Sequence, residues 1–298
     1  MSLHLHGLVA ATHTPFHPDG SLASEVVPEQ AKHLVAAGVT TVFITGSTGE
    51  SHSLTREERL EIFKAWADAG PGHGLKVVAH AGSNCLEDAR TFAAAAADLG
   101  LDAVAALAPS YYKPASLDAL VDCCAMIAES APDLPFYYYD IPALTGVSFR
   151  MPEFIGAATR RIPNLAGIKF TKDDLNEYAQ CLESDAFDIP WGVDEKLLSA
   201  LQAGAKGAVG SSYNFAAPIY QRLIAAFESG DLETARELQD RAATLIDTLA
   251  SVGYLGAAKA LMEWQGVPVG PARLPNANPT PAQLDALRAK LDTPVLQP

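Results

Sequence analysis

Val39-Thr40-Thr41-Val42-Phe43-Ile44-Thr45, followed at once by Gly46-Ser47-Thr48-Gly49-Glu50, is a short run rich in β-branched residues that stops at two glycines enclosing two hydroxyls. A stretch this short, apolar at successive rather than alternate positions, suits a strand covered on both faces, as in a parallel sheet. The next segment reads as a helix, because Thr55 with Glu58 three residues on has the capping-box spacing ahead of an amphipathic run. The unit recurs in both directions. Similar apolar runs occupy 7–12, 76–81, 103–108, 136–139, 165–169, 188–192 and 207–210, which with 39–45 gives eight strand candidates. Between them lie amphipathic segments with helix-start signals, such as Ser116 ahead of Leu117, Leu120 and Val121.

Eight strand-helix units in 298 residues predict an α/β fold of the (β/α)8 TIM-barrel type. The competing architecture, an open doubly wound sheet, would more often show fewer strands or a Gly-rich dinucleotide turn. From Asp231 the pattern is helical only: Leu232, Ala235, Leu238, Leu245, Ile246 and Leu249 form one apolar stripe, a second helix spans about 253–264, and a short one covers 281–291. The expected organisation is a barrel carrying the active site over residues 1–230, and a C-terminal helical extension of the same domain over 231–298.

The balance of 21 Lys+Arg against 35 Asp+Glu gives a net charge of -14, a field that repels polyphosphates and disfavours nucleic-acid or anionic-membrane partners. Cys85, Cys123, Cys124 and Cys181 show neither C-x-x-C spacing nor the density of a disulfide scaffold, which suggests a reducing compartment. No signal-peptide pattern opens the chain and no apolar stretch is long enough to span a bilayer, so a cytoplasmic location is expected. The eight histidines include no H-x-x-x-H pair on a helix and no nearby carboxylate cluster of ligand spacing. No metal is expected.

Functional groups of such a barrel gather at the C-terminal ends of its strands. Three strand ends carry polar residues that packing would not select: 46–50, Tyr137-Tyr138-Tyr139-Asp140, and Ile168-Lys169-Phe170-Thr171. A lysine closing an apolar strand is either a desolvated, nucleophilic amine suited to attack on a ketone, or a packed stem with its head in solvent. Ser47 and Thr48 between glycines could hold a carboxylate through amides and hydroxyls, or form an ordinary turn. Tyr139 could relay a proton, or be a buried tyrosine with its hydroxyl satisfied. Asp194 and Glu195 could bind the hydroxyls of a polyol, or cap the next helix.

Gly46-Ser47-Thr48-Gly49-Glu50, the segment Tyr139 to Gly146, Gly167-Ile168-Lys169 and Gly210-Ser211-Ser212-Tyr213-Asn214 together resemble the dihydrodipicolinate synthase and N-acetylneuraminate lyase family, in order and over nearly the whole chain. Ile141 to Gly146 and Gly192-Val193-Asp194-Glu195 are most similar to the lyase branch. Family members whose substrate has a second carboxylate place an arginine where this chain has Leu144, and an apolar side chain cannot pair that charge.

The resemblance implies a class I carbon–carbon lyase, a pyruvate-dependent aldolase that cleaves N-acetylneuraminate (sialic acid) to N-acetylmannosamine and pyruvate. Lys169 would form the Schiff base, so no cofactor is needed. Ser47 and Thr48 would bind the pyruvyl carboxylate, Tyr139 would mediate proton transfer, and Tyr111, or its neighbour Tyr112, would reach in from another subunit of a homotetramer. Thr171, Gly192, Asp194, Glu195 and Ser211 would hold the sugar chain, with Tyr254 or Leu255 on the late helix beside it. Asp140, Ser212, Ala108 and Ser110 depart from the usual pattern of the lyases. The partners implied are a 2-oxo sugar acid and pyruvate. An aldolase for another 2-oxo-3-deoxy sugar acid, and a non-catalytic sugar-acid binding protein, are the alternative readings.

Overall fold

The computed structural model describes residues 3–291. Seven parallel strands, β1 (Gly7–Ala11), β2 (Thr41–Ile44), β3 (Lys76–His80), β4 (Ala103–Leu107), β5 (Phe136–Asp140), β6 (Leu165–Phe170) and β7 (Gly207–Gly210), pair in the order β6-β5-β4-β3-β2-β1-β7. The eighth predicted run, 188–192, is extended but is not a regular strand. It bridges Gly167 through Asp188, and Phe170 and Ala208 through Trp191. Hydrogen bonds from Phe170 N to Pro190 O (3.0 Å) and from Val209 N to Trp191 O (2.8 Å) carry the closure from β6 to β7. Pro190 has no N–H to give to the ladder, which explains why the pairing is interrupted here. Gly167 permits the contact, since a Cβ there would stand 1.7 Å from the Asp188 carbonyl oxygen.

Alternation along the strands assigns two apolar layers. Val9, Ala11, Phe43, Val78, Ala105, Leu107, Tyr137, Tyr139 and Val209 fill the barrel, while Ala10, Val42, Ile44, Val77, Ala79, Val104, Tyr138 and Ile168 pack against the helices outside. Both layers are apolar, which is why the strands read as continuous apolar runs. The helix starts follow their signals: Thr55 and Glu58 form the reciprocal capping box of the helix Arg56–Ala69, and Ser116 accepts from Ala119 N at the head of Leu117–Ala128.

Beyond the barrel lie the helices Leu232–Ala250, Tyr254–Trp264 and Pro281–Lys290. Two ion pairs tie this C-terminal region to the loop and the helix that follow β2. Lys259 Nζ lies 3.0 Å from Glu50, and Arg273 grips Glu58 with both guanidinium nitrogens at 2.5 and 2.7 Å. Among the described residues, no single helix is long and apolar enough to cross a membrane.

Candidate active site

A cavity of about 520 Å³ opens at the C-terminal ends of the strands. Lys169 reaches it because β6 turns it inward between Ile168 and Phe170, which pack outside; the alternation holds only beyond the register shift against β5 at the strand's start, where Leu165 packs outside. The strand pairing places Lys169 beside Tyr139 on β5. Lys169 Nζ lies 3.9 Å from the centre of the Tyr139 ring and 4.2 Å from that of Phe43. No hydrogen bond from it to a described residue is formed. Burial disfavours the ammonium and lowers its pKa to about 7, against the carboxylate of Asp194, which pulls the other way. Near neutral pH, a large share of the amine is therefore unprotonated and nucleophilic.

The Tyr139 hydroxyl lies 3.3 Å from Ser47 Oγ. Burial raises the phenol to about 12, with the Ser47 hydrogen bond acting in the opposite sense. It is held protonated and so can donate first and accept afterwards.

The loop bearing Ser47 and Thr48 is bent at both ends. Thr45 (φ 51°) and Glu50 (φ 55°) are the two non-glycine residues with positive φ among those described. Such conformations cost of order 1–3 kcal/mol each and persist where surrounding structure imposes them. Here Thr45 Oγ1 donates to His80 O (3.0 Å), Thr14 Oγ1 donates to Gly49 O (2.7 Å), and Glu50 accepts from Lys259 and from the Arg273 N–H. Gly49 is required, because a Cβ would stand 2.8 Å from Thr45 Cα.

On the opposite wall, Asp194 is buried and its Oδ2 accepts from the N–H (2.9 Å) and the hydroxyl (2.6 Å) of Ser212. Its side chain does not cap the helix that follows, so the capping alternative fails for this residue. Desolvation raises its pKa, with the Ser212 bonds opposing. Gly210 makes room for that carboxylate, and Gly192 lets the wall approach Thr171, whose methyl would stand 2.5 Å from a Cβ at 192. Thr171 Oγ1 donates to Asp140 O (2.5 Å), and Ser211 Oγ and Tyr254 OH lie 2.7 Å apart. Glu195, Tyr254 and Leu255 all line the cavity, so both candidates on the late helix face it and the tyrosine also fixes Ser211.

Tyr111 and Tyr112 are 78% and 87% exposed, and neither lines the cavity, so a single chain does not bring Tyr111 to Ser47 and Tyr139. Leu144 is 66% exposed, and it is Ala143 that lines the cavity. Among its described lining residues Lys169 is the one cation, facing Asp194 and Glu195. Asp140 does not reach the cavity and sits buried 3.5 Å from Lys172. Sequence reasoning missed Lys259, His80 and Arg273, which hold the loop from behind. A lone lysine inside the apolar face of a late helix was the one available signal.

A family model, the dihydrodipicolinate synthetase family, matches residues 4–293. The chain belongs to the dihydrodipicolinate synthetase family. It is 38% identical to the N-acetylneuraminate lyase of Gallus gallus over 97% of this chain and 96% of that protein. It superposes with a TM-score of 0.93 on the N-acetylneuraminate lyase of Proteus mirabilis, at 39% identity, covering 97% of this chain and 98% of that one. A dihydrodipicolinate synthase from Bacillus anthracis gives a TM-score of 0.89 at 27% identity, covering 98% and 100%. Family members with different names thus share the barrel, and the lining of the cavity must separate them.

Proposed function

We propose that the chain is an N-acetylneuraminate lyase, cleaving sialic acid to N-acetylmannosamine and pyruvate through a Schiff base on Lys169. The observation that carries this reading is the cavity's charge pattern. One amine stands at the base, within reach of a substrate carbonyl, and the opposite wall offers Asp194, Glu195, Thr171 and Ser211 with no second cation among the described lining residues. A substrate with a carboxylate at both ends would leave one charge unpaired, whereas a hydroxyl-rich tail finds acceptors and donors there.

In this mechanism the neutral Lys169 amine adds to the C2 ketone of the open-chain sugar acid, and loss of water with uptake of a proton, for which the Tyr139 phenol is the donor at hand, leaves a protonated imine. Ser47 and Thr48 hold the adjacent carboxylate. Removal of the C4 hydroxyl proton lets the C3–C4 bond break: its electrons flow into the imine as C4 becomes the aldehyde, and an enamine of pyruvate remains. Tyr139, with its hydroxyl against Ser47, and the substrate carboxylate serve that proton transfer. Protonation at C3 and hydrolysis then release pyruvate and regenerate the amine. The imine is the electron sink, so the reaction as drawn calls on no cofactor.

Tyr111 completes the hydroxyl relay from a second copy. Its exposure, next to Tyr112 with ring centres 5.0 Å apart, supports a homo-oligomer, and we favour a tetramer. Residues 1–230 and 231–298 act as one domain, a reading supported by the Lys259 and Arg273 ion pairs; residues 292–298 lie outside the described residues. The scattered free cysteines suit a cytoplasmic setting.

The test is incubation with pyruvate and borohydride followed by peptide mapping. The expected adduct is on Lys169; its absence, or an adduct on another lysine, rejects the mechanism. Cleavage rates for sugar acids with and without the N-acetyl and glycerol groups then decide the substrate. Equal or faster cleavage of the truncated acids points to another 2-oxo-3-deoxy sugar acid.

A further inference from the structure

We propose that His4, His6 and Asp188 form a binding site for a divalent first-row transition ion of the zinc type on the floor of the barrel, at the end opposite Lys169. The expectation of no metal rested on spacing along the chain, and folding brings together ligand types that the sequence keeps far apart. One ligand atom from each of the three residues lies within 4.8 Å of the other two.

The arrangement has a local cause. The segment before β1 alternates, with Leu3 and Leu5 buried in the barrel and His4 and His6 exposed, so the two imidazoles share one side with ring centres 5.2 Å apart. Asp188 enters the same space from the segment that closes the barrel. Its backbone is fixed by Asp188 N to Ala166 O (2.9 Å) and Ile168 N to Asp188 O (3.0 Å). Its Oδ2 accepts from Leu5 N (2.5 Å) and from the buried Tyr137 hydroxyl (3.0 Å). Two of the carboxylate's roughly four lone-pair sites are thus occupied in orienting it, and the others are available to an ion.

An ion about 2.1 Å from each donor needs donors roughly 3–4 Å apart, which the exposed imidazoles reach by a small side-chain rotation. Two imidazole nitrogens and one carboxylate favour zinc-type ions over calcium or magnesium, which take oxygen ligands. The adjoining cavity, of about 420 Å³, has room for waters to complete the coordination. Lys206, the one lysine lining it among the described residues, is paired with Asp185 at 3.4 Å. An ion here would staple the start of the chain to the closing segment, a role in stability that fits this face of a barrel.

The test uses the full chain, stripped with a chelator and titrated with zinc chloride by calorimetry in a non-coordinating buffer. One saturable site per chain is expected, weakened about tenfold or more in the His4→Ala/His6→Ala double variant, whose changes fall on exposed side chains. Zinc should raise the thermal midpoint of the unmodified protein by a few degrees and leave that of the double variant unchanged. Binding is read without substrate, so it stands or falls independently of the lyase reading. No saturable site, or equal affinity in the double variant, overturns the proposal.

Discussion

Lys169 and Lys259 are 4% and 0% exposed, and each Nζ lies over an aromatic ring, those of Phe43 and Tyr139 in one case and of Phe16 in the other. Burial lowers both, to about 7 and about 8. Their partners differ. Lys259 donates to Glu50 and to the carbonyls of Thr14 and Pro271 at 2.7–3.0 Å, so all three donors of its ammonium are used. Lys169 has a carboxylate within electrostatic reach, Asp194, and no hydrogen-bonded acceptor. A buried lysine with its hydrogen bonds satisfied is a clasp, and one without them is a reagent. The molecule sets the two on either side of the same loop, one holding residues 46–50 in their strained shape and the other facing the cavity.

The largest expected effect is on activity. Lys169→Met should lower sialic acid cleavage by at least about three orders of magnitude, and abolish borohydride trapping of pyruvate, because among the described residues no other amine lines the cavity. Lys259→Met should leave trapping on Lys169 intact in the folded protein. If trapping survives loss of Lys169, or vanishes in folded Lys259→Met, the division of labour is wrong.

Stability should move in opposite directions for the same two substitutions. Lys259→Met strands the Glu50 carboxylate in the interior and should cost about 3–5 kcal/mol in chemical denaturation, with part of the loss recovered in Lys259→Met/Glu50→Gln. Lys169→Met removes an amine buried without hydrogen-bonding acceptors and should stabilise the protein by roughly 1–4 kcal/mol at neutral pH. The folded protein releases this proton near pH 7, whereas the unfolded chain holds it to about 10.5. The penalty is therefore complete below pH 7 and fades as pH rises towards 10.5, so the gap between Lys169→Met and the parent should narrow over that window. A gap that widens with pH would contradict the assignment.

The contrast also marks what the sequence makes legible. Continuous apolar runs announce strands covered on both faces, and a lysine ending one of them has to enter the mouth or lie along its rim; the period of β6 decides for the mouth. The segment around Pro190 reads as a strand because its composition is that of its neighbours, and only the ladder reveals where a missing N–H interrupts it. Lys259 was harder to see, since its partner Glu50 is more than two hundred residues away and nothing local to the helix Tyr254–Trp264 specifies the pairing. Asp194 could be placed near the sugar by resemblance, yet its attachment to Ser212 depends on how the segment after 192 meets β7, which no periodicity encodes. Tyr111 shows the other limit: the role proposed for it lies in a neighbouring copy, and in its own chain it is only an exposed side chain.

The smallest expected effect tests why Lys169 titrates near neutrality. Burial drives its pKa down and Asp194 holds it partly up, so removing that negative charge should let it fall further. Asp194→Asn keeps an acceptor oxygen for both Ser212 bonds and changes the charge alone. The rate of imine formation with pyruvate should rise with pH through about 7 in the unmodified protein, as the neutral amine becomes available, and then level off. In Asp194→Asn the same limb should lie at lower pH with a similar plateau, because pyruvate has no sugar chain for residue 194 to hold. A limb displaced to higher pH would mean that Asp194 does not support the ammonium. An unmoved limb with a lower plateau would mean that it positions the amine instead, which would bring Lys169 closer to Lys259 in kind, as a lysine governed by the contacts that hold it.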